Sequence, residues 1–251
     1  MCRAILLALC VVSSSTTMGQ GILSRLVGGR RDWGKMEERY REVKGERIGK
    51  YLAGEHAGKR VLVLVWPKIP AMDGQVIPER PHVAVVRGLK RGMKGMVFVG
   101  VLQPKFSADV AKEMAGPAGA RMPFLEMWFG VEELNQELLP YKGKYDILVC
   151  LARLPGVRKM TGVGWKTTSY KELSFWQEKR VSVVVAEGSI AQFEDLIKAG
   201  KVCAAVVGRQ GLQDEDYQKP PARNLNKAFN TRLILITPQN VGKHSAYFIA
   251  R

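Results

Sequence analysis

The sequence predicts an α/β fold in which a mostly parallel β-sheet is flanked by helices. From Lys59 onward, short apolar runs rich in β-branched residues alternate with turns that contain polar residues or proline, which is the pattern of strands. The runs are hydrophobic throughout instead of alternating, as in strands that a parallel sheet buries on both faces. Segments with helical periodicity separate several of the runs. We therefore assign residues 59–251 to an α/β domain.

The first 19 residues have the pattern of a cleavable signal peptide. A short positive region at residues 1–3 precedes the apolar run 4–12, and serines and threonines lead to a cleavage expected after Gly19. The apolar run is too short to span a bilayer, which needs roughly 20 residues, and no later run is long enough. We expect a soluble protein that is exported to the periplasm or secreted. Lipidation at Cys10 is an alternative, although bulky Leu9 precedes that cysteine.

The chain is strongly basic, with a formal net charge of +16. Removal of residues 1–19 would take away one charged side chain, Arg3, and leave +15. Such a charge is compatible with weak association with anionic polymers of the cell envelope through long-range attraction, although a basic soluble protein without a dedicated polyanion site is the simpler interpretation. Basic residues interleaved with aromatic residues at 158–180 would also suit nucleic acid, but the predicted export argues against that partner. A second basic cluster consists of Arg87, Lys90, Arg91 and Lys94.

Residues 20–58 form a charged segment with helical spacing of its apolar residues. We predict one amphipathic helix that packs on the domain. Gly45 and Gly49 each cost about 1 kcal/mol relative to alanine inside a helix, so we expect fraying or a break there. Interleaved glutamates favour a solvated outer face over a membrane-surface anchor. The apolar positions are Met36, Tyr40, Val43, Ile48, Tyr51 and Leu52.

Within the α/β domain the apolar runs predict seven strands, at 61–66, 82–86, 96–102, 145–151, 181–186, 202–207 and 232–237. Helices are predicted at 107–115, 131–139 and 189–200. The last begins with Ser189 and Gln192 in a capping-box pattern and ends at Gly200. With its flanking strands it forms a βαβ unit. A division into two halves is predicted near 155–177.

Ligand-binding residues are expected in the loops after the strands, because open α/β sheets bind ligands at the carboxyl ends of their strands. Proline follows several strands within a few residues and directs these loops. Several of the side chains offered there are cationic, which suits a small polar or anionic ligand. The candidates are Trp66, Lys68, Lys105, Arg153, Glu187, Ser189, Arg209 and Gln210.

Motifs for cofactor or metal chemistry are missing from the sequence. The segment 162–167, Gly-Val-Gly-Trp-Lys-Thr, has Trp165 where a phosphate-binding loop needs glycine before its lysine. Residues 187–191 do not form the Gly-x-Ser-x-Gly elbow of a serine hydrolase. The histidines are isolated, and no Cys-x-x-Cys pair occurs. We predict no cofactor, metal or catalytic residue. Export permits a disulfide between Cys150 and Cys203, which the sequence leaves open.

Four features carry a family resemblance: the signal peptide, the strand at 61–65, the run Tyr145-Asp146-Ile147-Leu148-Val149, and the unit 181–207 followed by the apolar run to Pro238. With these features the chain resembles periplasmic substrate-binding proteins of the transport type, over most of residues 59–240 and in architecture only.

The resemblance implies a Rossmann-like, periplasmic-binding-like three-layer sandwich, a small-molecule ligand and a membrane component of a transport system as partner. It also implies closure of two halves on the ligand, with Lys105, Arg153 and Arg209 as anion partners. Such two-lobed proteins usually have longer chains, which points to a reduced or absent second lobe. Two alternatives stay open. One is an exported hydrolase or transferase that uses Asp73 or Glu187 as base, and the other is a basic envelope-interaction protein without a pocket.

Overall fold

A computed structural model describes residues 33–67, 81–105, 112, 130–154, 158–161, 164–167 and 170–249. The chain divides into two units, residues 1–37 and 38–251, and of the first unit only the opening residues of helix α1 (Trp33–Glu55) are described. The predicted signal peptide, Cys10, Lys68 and Asp73 lie outside the described residues. The predicted helix 107–115 does so too, apart from Lys112, which is helical.

In the described ranges the strands are β1 (Arg60–Leu64), β2 (Val97–Leu102), β3 (Ile147–Cys150), β4 (Arg158–Thr161), β5 (Gly164–Thr167), β6 (Ser182–Val185), β7 (Val202–Gly208) and β8 (Leu233–Ile236). Six of them form the central sheet of the domain, in the order β2-β1-β3-β6-β7-β8. All neighbouring strands of this sheet are parallel except β7 and β8, which are antiparallel. This arrangement confirms the predicted mostly parallel α/β class. Strands β4 and β5 form a separate antiparallel pair.

Helices cover both faces of this sheet. Besides α1, the helices in the described ranges are α2 (Pro81–Gly92), α3 (Val131–Leu138), α4 (Glu194–Lys198), α5 (Asp214–Gln218) and α6 (Leu225–Arg232). Short 3-10 segments lie at Leu139–Tyr141, Tyr170–Glu172, Ser174–Trp176, Ala191–Phe193 and Val241–Tyr247.

Strand β1 shows how the three layers are held together. Its alternate residues Val61 and Val63 face a cluster formed with helices α1, α2 and α6, whereas Leu62 and Leu64 face a second cluster formed with α3 and α4. All four side chains are at most 2% exposed. Burial of each contributes about 1.5–3 kcal/mol, so a run that is apolar at every position is what this central strand requires.

The predicted strand 82–86 is wrong, because these residues belong to helix α2. Val85 and Leu89 lie one helical turn apart and are buried at 5% and 0% exposure in the cluster below α1. Pro81 begins the helix, a position at which its missing amide hydrogen costs nothing. The β-branched composition of this segment favours a strand, but burial of one helical face outweighs that weak preference.

The predicted break at Gly45 and Gly49 is also wrong, because α1 is continuous across both. These glycines face Gly88 and Gly92 on α2. A Cβ atom on Gly45 would overlap the carbonyl oxygen of Val85, and one on Gly49 would lie 2.5 Å from the carbonyl oxygen of Leu89. The two backbones are therefore in contact, and the glycines that weaken each helix in isolation are what allows the helices to pack.

The helix predicted from Ser189 begins later than its capping-box pattern indicated. Residues Ala191–Phe193 form a 3-10 turn, and only Glu194–Lys198 is α-helical. The Ser189 hydroxyl oxygen accepts a hydrogen bond from the Ala191 amide at 3.3 Å, so it stabilises the turn and not the α-helix. The predicted end at Gly200 agrees with its φ of +73°. Strands β6 and β7 on either side are parallel neighbours, as the βαβ prediction requires.

Cys150 and Cys203 are free and buried. They belong to the hydrophobic clusters on opposite faces of the sheet, and β6 lies between their strands. This placement rules out a disulfide between them in this fold. Burial raises the pKa of both thiols, that of Cys203 to about 12, so both act as small apolar side chains at neutral pH.

Candidate functional site

The loops that follow the parallel strands meet at the carboxyl edge of the sheet. Strands β1, β2, β3, β6 and β7 all end there. Every candidate residue in the described part of the chain follows one of these strands, and only Lys68 lies outside it. The candidates are Trp66 after β1, Lys105 after β2, Arg153 after β3, Glu187 and Ser189 after β6, and Arg209 and Gln210 after β7.

The strand order places a topological switch point on this edge, between β1 and β3. The chain passes from β1 to β2 on one side of β1 and then crosses back to β3 on the other side. Doubly wound sheets bind their ligands at such a switch point, in the crevice outside the strand ends. Trp66 and Arg153 follow the two strands that flank it, and the Leu151 amide donates to the Leu64 carbonyl at 2.8 Å between them.

Arg153 lies directly against the turn that follows β6. Gly188 in this turn has a φ of +90°, a conformation that favours glycine. A Cβ atom on Gly188 would lie 3.0 Å from Cγ of Arg153. The glycine thus serves both the backbone conformation and the close approach of the arginine. Glu187 and Ser189 flank Gly188 and are exposed, as is Arg153.

Helix α1 holds the same turn from the other side. Lys44 Nζ donates to the carbonyl oxygen of Ala186 and to Oε1 of Glu187, both at 2.6 Å. The Lys44 side chain is only 12% exposed, whereas that of Glu187 is 44% exposed. The role of Lys44 has no local sequence signal, because the residues it contacts lie more than 140 positions away and nothing local distinguishes this lysine from others on the helix.

The remaining candidates are anchored elsewhere along the edge. Arg209 donates from its amide to the Arg232 carbonyl at 2.8 Å and from Nε to the Asn230 carbonyl at 2.9 Å. The Lys105 amide donates to Glu137 at 3.2 Å. The strands that carry Lys105 and Arg209 are four strand spacings apart, or about 19 Å. The structure therefore brings Arg153, Glu187 and Ser189 together and keeps Lys105 and Arg209 at a distance.

The basic cluster at the end of α2 is largely neutralised. Arg87 donates to Glu38 at 2.9 Å and to Glu42 at 2.7 Å, and Arg91 lies 3.5 Å from Glu42 and from Glu46. Lys90 packs over the Phe98 ring at 4.2 Å. Three of the four cations of the cluster therefore contact carboxylates or an aromatic ring of the protein itself. Lys94 is exposed.

Two cavities lie away from this edge. One of about 510 Å³ is lined by α3 and residues 174–178, and one of about 230 Å³ by α1, Arg91 and residues 222–225. Neither is lined by a residue that directly follows a parallel strand.

The segment 162–167, which partly resembled a phosphate-binding loop, contains strand β5 of the β4–β5 hairpin. It therefore does not connect a parallel strand to a helix, the context that the motif needs. Among the described residues, no three histidine, cysteine, aspartate or glutamate side chains are grouped to hold a metal ion. No helix in those ranges has the length and apolarity to cross a membrane.

No family model matches the chain, and no curated protein sequence matches it. Solved structures with a similar layout include three binding or transport proteins. The arabinose binding protein AraP from Geobacillus stearothermophilus is 14% identical with a TM-score of 0.44, over 85% of this chain and 63% of that one. The Caulobacter myo-inositol binding protein is 14% identical with a TM-score of 0.44, over 82% and 61%. A carbohydrate transporter from Acidothermus cellulolyticus 11B, in complex with myo-inositol, is 13% identical with a TM-score of 0.46, over 83% and 60%.

The chain spans less than two thirds of the length of these proteins. The likeness to these structures is one of layout alone. At these identities and TM-scores no residue role transfers to this chain.

Proposed function

We propose that this protein binds a small polar or anionic ligand in the crevice at the carboxyl ends of β1, β3 and β6. The observation that carries the proposal is the placement of Arg153 on Gly188, beside the switch point of the sheet. This placement sets a cationic side chain, a serine hydroxyl and a carboxylate around one turn. The proposal keeps Trp66, Arg153, Glu187 and Ser189 from the original candidates as ligand contacts.

The chemistry of these groups suits a ligand with hydroxyl or carboxylate groups. A guanidinium presents a planar fork of donors that matches a carboxylate or phosphate. The Ser189 hydroxyl can donate, since its oxygen already accepts from Ala191. Glu187 is held by Lys44 and can accept from a ligand hydroxyl through its second oxygen. Trp66, half-buried at the end of β1, would supply an apolar wall.

Binding in this proposal uses a preformed crevice and not the closure of two halves near 155–177. Strands β3 and β6, on either side of that segment, pair directly over four residues each. The Ala186 amide also donates to the Cys150 carbonyl at 3.0 Å. Separation at this point would break a central ladder of the sheet, at a cost in backbone hydrogen bonds that a small ligand would have to offset.

The proposed binding protein is also expected to be exported and to have a membrane partner. The predicted signal peptide at 1–19 would deliver the protein to the periplasm or the medium. There, a small-molecule binding protein would hand its ligand to a membrane component of a transport system. The net charge of +15 that remains after removal of residues 1–19 would add a weak, salt-sensitive attraction to anionic envelope polymers.

A hydrolase or transferase role in the same crevice receives less support. Its described candidate base, Glu187, forms an ion pair of 2.6 Å with Lys44, so one of its two carboxylate oxygens is already engaged within the protein. We therefore favour binding without turnover.

A thermal-shift screen tests the proposal with sugars, polyols, amino acids and small carboxylates at low and high salt. A ligand at 100 times its Kd should add about 2.7 kcal/mol of stability. We expect such a shift at both salt concentrations and its loss in Arg153→Gln, with Lys179→Gln as the matched control for charge. Shifts from polyanions alone that vanish at high salt would instead support an envelope-interaction protein. Chemical change of the ligand during incubation would support the enzyme.

A further inference from the structure

The cavity of about 230 Å³ on the outer side of α1 has an unusual concentration of charge. Its walls include four cationic side chains and two carboxylates, a local balance of 4 − 2 = +2. The cations are Arg39, Lys50, Arg91 and Arg223, and the carboxylates are Glu42 and Glu46.

Each of the four oxygens of these two carboxylates has a cationic neighbour. In Glu42, Oε1 lies 2.7 Å from Arg87 and Oε2 lies 3.5 Å from Arg91. In Glu46, Oε1 lies 3.0 Å from Lys50 and Oε2 lies 3.5 Å from Arg91. The glutamates therefore contact Arg91 and Lys50 in the wall of the cavity and form no ion pair with the other two arginines.

Arg39 and Arg223 line the cavity from opposite elements, one from α1 and the other from the segment before α6. Among the described residues neither arginine side chain forms a hydrogen bond or an ion pair, and both residues are exposed. Each guanidinium offers several N–H donors in a planar arrangement that matches the oxygens of a phosphate or sulfate. Two such groups line one cavity, and neither is paired with a carboxylate of the described residues, so their chemistry suits an oxyanion.

We propose that this cavity binds a small oxyanion of the phosphate type, either as free phosphate or as a phosphoryl group on a small molecule. Arg39 and Arg223 would bind it through charge-assisted hydrogen bonds, and Lys50 and Arg91 would add positive potential. The volume is smaller than the 300–1,000 Å³ or so of sites for drug-sized ligands, which fits an oxyanion with little attached. This site shares no residue with the crevice at the strand ends.

Isothermal titration calorimetry with the full chain tests the proposal, using inorganic phosphate, sulfate and a phosphate monoester as probes. We expect saturable binding at one site, weakened about tenfold or more in R39Q/R223Q. The double variant K179Q/K243Q, which removes two exposed lysines away from the cavity, should leave the Kd unchanged. Thermal unfolding of both variants would show that they fold. Tighter binding of the monoester than of phosphate would identify a phosphorylated small molecule as the ligand, and the reverse order free phosphate.

The proposal is overturned if the wild-type chain does not bind these probes, or if both double variants weaken binding equally, because charge alone would then explain the result. Binding to phosphatidylglycerol vesicles without binding to inorganic phosphate would also overturn it. R153Q should retain phosphate binding, so failure at this cavity and failure at the crevice can be distinguished.

Discussion

The backbone of Gly45 in α1 packs against the carbonyl oxygen of Val85 in α2, so closely that no side chain could be placed between them. Gly88 makes the reciprocal contact with the Glu42 carbonyl. Above this contact, Arg87 and Arg91 form ion pairs with the glutamates of α1. Helix α1 is thereby held against α2 through backbone contact, so we expect the glycines to be the positions of this helix pair most sensitive to substitution.

Gly45→Ala should therefore destabilise the protein by about 1–3 kcal/mol, the usual cost of overpacking, although alanine is the better helix former by about 1 kcal/mol. Gly54→Ala is the matched control, since Gly54 lies in the same helix and a Cβ placed on it would have no atom within 4 Å, so this substitution should be neutral or stabilising. Urea unfolding of both variants measures the difference. If Gly45→Ala is as stable as the wild type, the helices do not pack in this way.

The ion pair of Asp146 with Arg60 should make stability depend on pH in the acid range. Arg60 donates to the carboxylate from its amide, Nε and Nη2 at 2.8–3.0 Å. The guanidinium hydrogen bonds lower the pKa of Asp146 from 3.8 to about 2. Because the folded pKa lies below the unfolded value, the stabilisation is complete above about pH 4 and is lost as the pH falls through about 2.

Asp146→Asn should accordingly cost about 1 kcal/mol at pH 7, a value typical of a pair that is partly exposed, and its stability should converge with that of the wild type near pH 2. Chemical unfolding at a series of pH values measures this. Glu215→Gln, at an exposed position, should retain the wild-type pH dependence. A constant difference between Asp146→Asn and wild type across the range would contradict the prediction.

Buried Arg232 should depend on Tyr40 for much of its stabilisation. Its guanidinium carbon lies 3.5 Å from the Tyr40 ring centroid and its side chain donates to the Tyr217 carbonyl, while the residue is only 7% exposed. The Tyr40 hydroxyl donates to the Lys219 carbonyl at 3.0 Å. Tyr40→Phe should cost about 1 kcal/mol through the lost hydrogen bond. Tyr40→Leu should cost about 2 kcal/mol more, because the desolvated cation–π contact is also lost.

Unfolding of the two variants in guanidinium chloride separates the contribution of the Tyr40 hydrogen bond from that of the cation–π contact. The comparison requires that the free energy of unfolding depends on denaturant concentration with the same slope in both variants. Equal losses in Tyr40→Phe and Tyr40→Leu would show that the ring face contributes nothing to holding the arginine.

Gly188→Ala should displace Arg153 and weaken ligand binding in the proposed crevice. The substitution forces a side chain into a φ of +90° and places its Cβ 3.0 Å from the arginine. Gly211→Ala is the matched control, with a φ of +75° and no atom within 4 Å of the new Cβ. Both should lose about 1 kcal/mol of stability from backbone strain. Only Gly188→Ala should raise the Kd of a ligand found in the thermal-shift screen. If both substitutions raise the Kd equally, Arg153 does not contribute to ligand binding.

The sheet was more predictable than the helices. Strands β1, β3, β6 and β7 are apolar at nearly every position because both of their faces are buried, and that pattern is visible locally. Helix α2 was not recognised, because His82-Val83-Ala84-Val85-Val86 has the composition of a strand and its helical burial depends on α1. Helix α6 has a local start signal, because the Asn224 side chain accepts a hydrogen bond from the Lys227 amide, but its apolar residues are too few to predict a helix by periodicity.

The sequence predicted the edge of the sheet at which the candidate site lies, but not which of the candidate residues lie close together. Arg153, Glu187 and Ser189 were predicted because ligands bind at the carboxyl ends of strands. In the structure these residues lie at one turn. The same prediction also included Lys105 and Arg209, which lie near opposite ends of the sheet, because the sequence does not state the strand order.

The sequence by itself determined the layered α/β class, the strands at the centre of the sheet and the edge at which their loops meet, because continuous apolar runs must be buried on both faces. Only the tertiary structure decided that Lys44 holds a turn 143 residues away, that glycines join α1 to α2, and that Arg39 and Arg223 are left to face one cavity. Each of these depends on which faces of distant segments meet. That pairing is set by the packing of the whole chain, and no local pattern encodes it.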